Sequence, residues 1–321
     1  MPSNLRDNFP KIKSSPSTFQ VVAIRIFSSL LIILTTNTGK IFAPDTASMG
    51  YQENMMDKIA QTFDRLKAKN EIGLMTHVVI GYPNLKTTAA IVEAMVEAGT
   101  DMIELQMPFS DPTADGPTIT KANQIALDNG VKMRDCMEMM GRLNEKFNIP
   151  FLFMGYFNLI FNYGYGRGNS YGVAKFCRDA IDAGASGLIV PDIPPDEAQE
   201  GYLDACQQNN LHPISVISPN ISDVRLHKIA KVASGFVYCT SRTGTTGRPE
   251  AIEFDWLNTF LTKAKQYIPV PLAVGFSLSK REHLERLRGY ADVAVVGSYM
   301  IQLFDREGID GVRRTVRLLK G

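Results

Sequence analysis

Cysteine is scarce. The 321 residues contain four (Cys136, Cys177, Cys206 and Cys239), with no CxxC and no Cys/His grouping at ligand spacing. A disulfide framework and a zinc knuckle are therefore both disfavoured, and thiols scattered in this way fit a reducing, cytoplasmic compartment. Net charge is nearly absent as well. Lys plus Arg is 34 and Asp plus Glu is 33, a balance of +1, so nothing draws in a nucleic acid. There is no GxGxxG after the first apolar strand, no Gly-x-Ser-x-Gly elbow and no P-loop. No pair among the four histidines has metal-ligand spacing, and no metal is expected. His227 and His283 fall in helical stretches and read as solvent-facing, and His212 opens a strand. His77 lies inside a strand, where core packing is favoured over a place in a site. The longest apolar stretch, VVAIRIFSSLLIILTT at 21–36, is interrupted by Arg25 and is short of the ~20 residues a membrane span needs.

What remains is a globular composition, 45% hydrophobic and 21% charged. Residues 1–54 differ in character from the rest. Arg6, Lys11 and Lys13 precede the apolar stretch and IFAPDTA follows it, in the manner of a signal peptide. Three readings are open for this extension: an upstream start that is not the true one, with Met49, Met55 or Met56 in its place; a disordered targeting segment; or an appended membrane-associating or partner-binding helix. The barrel-sized remainder, residues 55–321, is expected to be one catalytic domain.

From there, strand-length apolar runs alternate with helix-period stretches. The strands read as Ile72–Ile80, Asp101–Gln106, Pro150–Met154, Gly187–Pro191, Pro213–Ile217, Gly235–Tyr238, Pro271–Val274 and Asp292–Val296. Lys86–Gly99 and Tyr171–Gly184 are helical patterns that stop at a glycine. The Met-rich segment Met133–Met140 reads as helix core. A weak repeat runs through EAGTDMIEL (97–105), DAGASGLIV (182–190), KVASGFVYC (231–239) and RGYADVAVV (288–296). Eight strand–helix units predict a single (β/α)8 barrel, preferred over a doubly wound open sheet.

In such a barrel the chemistry sits where strands end and loops begin. Glu104 interrupts an apolar strand and by alternation points opposite to Ile103 and Leu105. A carboxylate aimed into a barrel is costly unless partnered, which suits acid–base work, and a structural capping role is the equal alternative. Asp111 and Asp115 share the stiff loop SDPTADGP, where both could simply turn the chain. Gly247, Gly275 and Gly297-Ser298 suggest an anion site built from backbone N–H groups. The polar loop 239–250 could close over a ligand.

Those residues stand in motifs that resemble the tryptophan synthase alpha subunit family. IELQMPFSDPTADGPTI carries most of the resemblance. YFNLIFNYG (156–164), GLIVPDIPPDEA (187–198), SGFVYCTSRTGTTG (234–247), AVGFSLS (273–279) and VVGS (295–298) follow in the family's order. The resemblance covers essentially all of the chain from Met56 onward. It implies a TIM barrel and a carbon–carbon lyase of tryptophan biosynthesis, which cleaves indole-3-glycerol phosphate to indole and glyceraldehyde 3-phosphate. It implies no cofactor in this chain, and an alpha2-beta2 complex whose beta subunit carries pyridoxal phosphate and takes the indole. Glu104 would be the proton-shuttling catalytic residue and Asp115 the aspartate bonded to the indole N–H. Tyr156 and Tyr238 would line the pocket, and Thr246 and Gly247 would belong to the closing loop. Gly247, Phe276, Ser277, Gly297 and Ser298 would contact phosphate, with Gly275 in the same glycine turn. Phe109, Asp111 and Asn158 would face the beta subunit.

The chain departs from the family at Gln106, where Gly is usual and where a side chain could bond Glu104 or narrow the pocket. It departs also at Tyr82, where Asp is usual, and at Ser277, where Gly is usual. Two other readings remain: a phosphate-binding barrel acting on a related sugar or indole phosphate, and a regulatory subunit that activates a partner. Glu104 and Asp115 weigh against the second of these.

Overall fold

A computed structural model describes residues 20–26, 29–35, 57–166, 172–194, 201–241, 253–275 and 278–321. Its backbone forms two compact units, Met1–Met56 and Asp57–Gly321. In the first, β1 (Gln20–Ile26) pairs antiparallel with β2 (Ser29–Thr35).

The second unit is a closed eight-stranded parallel barrel. Its strands are β3 (Gly73–Val79), β4 (Met102–Gln106), β5 (Phe151–Met154), β6 (Gly187–Ile189), β7 (His212–Ile217), β8 (Val237–Thr240), β9 (Leu272–Gly275) and β10 (Val293–Val296). β10 closes on β3, as the eight alternating units predicted. β8 begins two residues later than its sequence pattern, because Gly235 has φ +67° and belongs to the turn before the strand. Around the sheet lie α1 (Lys58–Lys69), α2 (Leu85–Glu97), α3 (Pro117–Asp128), α4 (Met133–Lys146), α5 (Phe157–Phe161), α6 (Val173–Asp182), α7 (Tyr202–Gln208), α8 (Asp223–Val232), α9 (Phe254–Tyr267), α10 (Arg281–Leu287) and α11 (Ser298–Lys320). α11 bends at Gly308, whose φ of 64° and ψ of −164° are not helical.

Alternation along the strands divides the core in two. Leu74, Val78, Ile103, Leu105, Phe151, Phe153, Val237 and Val274 point outward and pack with the helices. Met75, Met102, Leu152, Ile189, Ile214, Tyr238, Ala273 and Val295 point inward and fill the barrel. α1, which the strand-by-strand reading passes over, contributes Ile59 and Leu66 to the inner cluster, and its Phe63 lies 6.1 Å from Phe236, ring to ring. It therefore plugs the end at which the strands begin. Its first turn is tied down at Asp57, which accepts from the Ala60 N–H at 3.0 Å and lies 3.1 Å from His212 Nε2.

The repeat has a structural cause. Gly99 and Gly184 take positive φ (104° and 92°) to end α2 and α6, and a side chain at Gly184 would collide with Asn144. At the fifth position of the repeat, in three of the four copies, a backbone N–H donates to the previous strand: Asp101 to Leu74 O, Ser186 to Phe151 O and Asp292 to Leu272 O, each at 2.8 Å. The two aspartates return the bond, accepting from Leu74 N–H and Leu272 N–H, also at 2.8 Å. Asp101 is 2% exposed and carries the Arg65 guanidinium (2.8 Å) and the Lys320 ammonium (2.7 Å) besides.

All four cysteines are free and buried, although the fold brings Cys177 and Cys206 to 3.9 Å, sulfur to sulfur. Met139 and Met140 are core, as the helix pattern predicted. Among the described residues no helix is long and apolar enough to cross a membrane.

Replacing Asp101 by Ala strands the buried Leu74 N–H, at a cost of about 1–3 kcal/mol. Removing the half-exposed Arg65 partner should cost only about 0–1 kcal/mol. Urea unfolding of Asp101→Ala and Arg65→Ala checks this, and equal losses would refute the clamp.

Candidate active site at the carboxyl ends of the strands

Parallel pairing sets His77 of β3 directly beside Glu104 of β4. Register partners share a face, so both side chains enter the barrel. The His77 Nδ1 lies 3.2 Å from the Glu104 Oε1, and the two residues are 3% and 5% exposed. Burial alone would lower the imidazole pKa, but the charge and hydrogen bond of Glu104 and the charge of Asp115 outweigh it, and the net movement is upward. His77 is therefore buried inside the barrel, as core packing requires, but its neighbour there is a carboxylate, which the strand alone does not reveal and the register with β4 supplies.

Two residues beyond Glu104, Gln106 also points inward and is fully buried. It does not bond Glu104. Its amide Nε2 donates to Asp115 Oδ2 at 2.7 Å. The Tyr156 hydroxyl, at the end of β5, donates to the same oxygen at 2.9 Å and accepts from the Ala114 N–H at 3.1 Å. Asp115 is thus held from β4 and β5 together. Burial raises its pKa. The bonds from Gln106 and Tyr156 and the charge of His77 oppose the rise, and Glu104 adds to it. The loop that presents Asp115 is folded by Asp115 N–H to Pro112 O (2.9 Å) and Thr113 N–H to Asp111 O (2.8 Å). Buried Asn123 on α3 braces its start, accepting from the Phe109 N–H at 2.9 Å. Neither Asn123 nor Asp192, which accepts from the Phe157 N–H at 2.9 Å, stands out in the sequence, because their partners are backbone groups of distant loops.

Tyr238 of β8 completes the inner wall. Its phenol sits where a side chain on Gly275 of β9 would be, so glycine is required there for space. Burial, with the charges of Glu104 and Asp115, holds the phenol neutral. At the end of β10, Gly297 faces His77: a Cβ there would lie 3.7 Å from the His77 Cβ. Gly297 is the N-cap of α11 and Ser298 its first residue, so the first turn of a long helix ends beside the two carboxylates' pocket. Such a turn presents N–H groups that favour an anion. Phe109 stacks on Tyr156, with centroids 5.2 Å apart and planes 26° apart. Asp111 and Asn158 are exposed on the same rim. Thr246, Gly247, Phe276 and Ser277 lie outside the described residues. Tyr82 turns away from the site and donates to Asp305 of α11 at 2.6 Å. Among the described residues no cluster of His, Cys, Asp or Glu could hold a metal ion.

The arrangement offers two buried carboxylates with different partners, one against an imidazole and one under two neutral donors, beside a helix N-terminus. That combination suits proton transfer on a phosphorylated molecule. The family model for tryptophan synthase alpha chains matches residues 63–319. The tryptophan synthase alpha chain of Desulforapulum autotrophicum is 44% identical over 253 residues, which are 79% of this chain and 96% of that protein. Tryptophan synthase of Saccharomyces cerevisiae is 40% identical over 253 residues, covering 34% of its own, longer chain. The solved structure of Mycobacterium tuberculosis tryptophan synthase superposes with a TM-score of 0.74 at 32% identity, over 82% of this chain and 96% of that one.

Tyr156→Phe removes a donor that favours ionised Asp115 and also strands the Ala114 N–H. The Asp115 carboxyl should then titrate at higher pH than in the wild type, which carboxyl-carbon NMR would follow. An unchanged titration would show that the hydroxyl does not govern the aspartate.

Proposed function

The chain belongs to the tryptophan synthase alpha chain family, and from that premise we propose that Asp57–Gly321 is the catalytic unit of a carbon–carbon lyase in tryptophan biosynthesis. It cleaves indole-3-glycerol phosphate to indole and glyceraldehyde 3-phosphate. The observation that carries this reading is that Glu104 and Asp115, from one strand and the loop after it, are both buried and near enough for each to feel the other's charge, with the Tyr156 hydroxyl on Asp115.

The roles follow from the surroundings. Asp115 has one oxygen taken by Gln106 and Tyr156. Its carboxylate faces the indole N–H and offsets the positive charge that the ring nitrogen gains when C3 is protonated. Glu104 delivers the proton to C3 and removes one from the hydroxyl on the adjoining glycerol carbon. The carbon–carbon bond then breaks, its electron pair returns to the ring, and the hydroxyl carbon becomes the aldehyde. The phosphate is held at the first turn of α11, at Gly297 and Ser298, with Gly275, Phe276, Ser277, Thr246 and Gly247 completing the closure. Phe109, Asp111 and Asn158 form part of the surface toward a beta subunit in an alpha2-beta2 assembly. That subunit supplies the pyridoxal phosphate and consumes the indole. The enzyme works in the cytoplasm, and residues 1–54 are an extension that the chemistry does not need.

Indole release from indole-3-glycerol phosphate tests this, with and without a beta subunit. The wild type and residues 55–321 should both release indole, faster with the partner. Glu104→Gln should lose about 10²–10⁴-fold in kcat, and Asp115→Asn about 10²–10³-fold. No indole from the folded wild type with its partner would overturn the reading.

A further inference from the structure

Two buried side-chain atoms beside the carboxylates have no hydrogen-bond partner among the described residues: His77 Nε2 and Gln106 Oε1. Buried polar groups in a folded protein are almost always paired, so each asks for a role. Both belong to residues whose other polar atom is committed to an active-site carboxylate: His77 Nδ1 to Glu104 at 3.2 Å and Gln106 Nε2 to Asp115 at 2.7 Å. For Gln106, a neutral amide, the consequence is orientation only. For His77 it is larger, because an imidazole holds or yields a proton near neutrality.

We propose that His77 and Glu104 act as one proton-holding pair, in which His77 orients the Glu104 carboxylate through Nδ1 and keeps available the proton that Glu104 passes to the indole ring. His77 is thus a positioning residue, acting through Glu104. The inference rests on the lyase reading above.

The cleavage needs a proton donor at its first step, and at neutral pH an isolated glutamic acid has already lost its proton. A carboxylate beside an imidazolium holds one proton between them at no net charge, which a buried site tolerates better than a lone carboxylate. The step balances without a co-reactant. The pair gives its proton to C3. The hydroxyl proton returns to the pair as the carbon–carbon bond breaks, its electrons going to the ring and the O–H electrons to the new carbonyl. The pair ends as it began.

The groups around His77 support this. Glu104 on β4 and Asp115 on the following loop are the anions that raise its pKa against the effect of burial. Tyr156, just past β5, and Tyr238, on β8, face the carboxylates with phenols held neutral by burial. From β10, Gly297 adds no ionisable group. Beside β3 a cavity of about 10 Å³ is lined by His77, Val79, Met95, Met300 and Phe304, and its one other ionisable lining residue among those described, Tyr82, is bonded to Asp305. With a raised imidazole pKa the protonated pair persists through neutrality and is lost as pH rises past that value, so the pair sets the alkaline limb of the rate profile.

The test uses the full chain. Indole release is followed from pH 5.5 to 9.5, a range of roughly one unit or more either side of an ordinary imidazole, for wild type, His77→Asn and His77→Phe. The His77 imidazole is titrated by NMR in wild type and in Glu104→Gln. His77→Phe should lower kcat about 10²-fold with KM within about threefold, and should move the alkaline limb to lower pH. His77→Asn keeps an N–H toward Glu104 and should recover part of kcat but not the position of the limb. The imidazole should titrate at lower pH in Glu104→Gln. If His77→Phe does not fold, His77→Asn and the titration decide. Wild-type kcat and profile in either variant, or a titration indifferent to Glu104→Gln, would overturn the pair. A wild type that releases no indole would instead overturn the lyase reading, and the titration would still judge the pair.

Discussion

In-register pairing of β3 with β4 inside a closed sheet governs the rest of the site. Closure leaves the interior filled by side chains, so a carboxylate at Glu104 cannot rely on bulk water. Its partner must come from a neighbouring strand, and parallel register presents His77. The same alternation brings Gln106 inward one step nearer the mouth. There the next carboxylate, Asp115, is met by Gln106 and by Tyr156 from just past β5. Each acid therefore has its own set of neighbours, and the two are made chemically different by geometry alone.

The opposite end of the barrel is arranged for rigidity. α1 plugs it with Ile59 and Leu66 and is fastened through Asp57 to His212, which in turn bonds Ser234 at 2.6 Å. Asp101 joins α1, β3 and α11 at one buried point. These contacts hold the strands in register without touching the chamber, so stability and chemistry are carried by different ends of the same strands.

Much of this was legible in the residues. Eight apolar runs spaced by helical periods predict the barrel, because each βα unit must bury one sheet face and one helix face. Strand limits shift by only a residue or two, as at Gly235. Glu104 was visible because a single charge breaks an apolar run. Asp115 was visible chiefly through its motif, since an aspartate in a Pro-bounded loop is otherwise an ordinary turn residue. His77 was not, because a histidine in a strand looks the same whether it meets a leucine or a carboxylate. Alternation puts Gln106 on the inward face but leaves its partner open between Glu104 and a narrowed pocket, and the structure gives it to Asp115.

The sequence by itself determined the periodicity, the inward direction of Glu104 and the family motifs, because these depend on local spacing and side-chain type. Only the tertiary structure decided which side chains meet. His77 lies 27 positions before Glu104, and Tyr156 lies 41 positions after Asp115. Contacts over such separations are set by strand register and barrel closure, which no local pattern specifies.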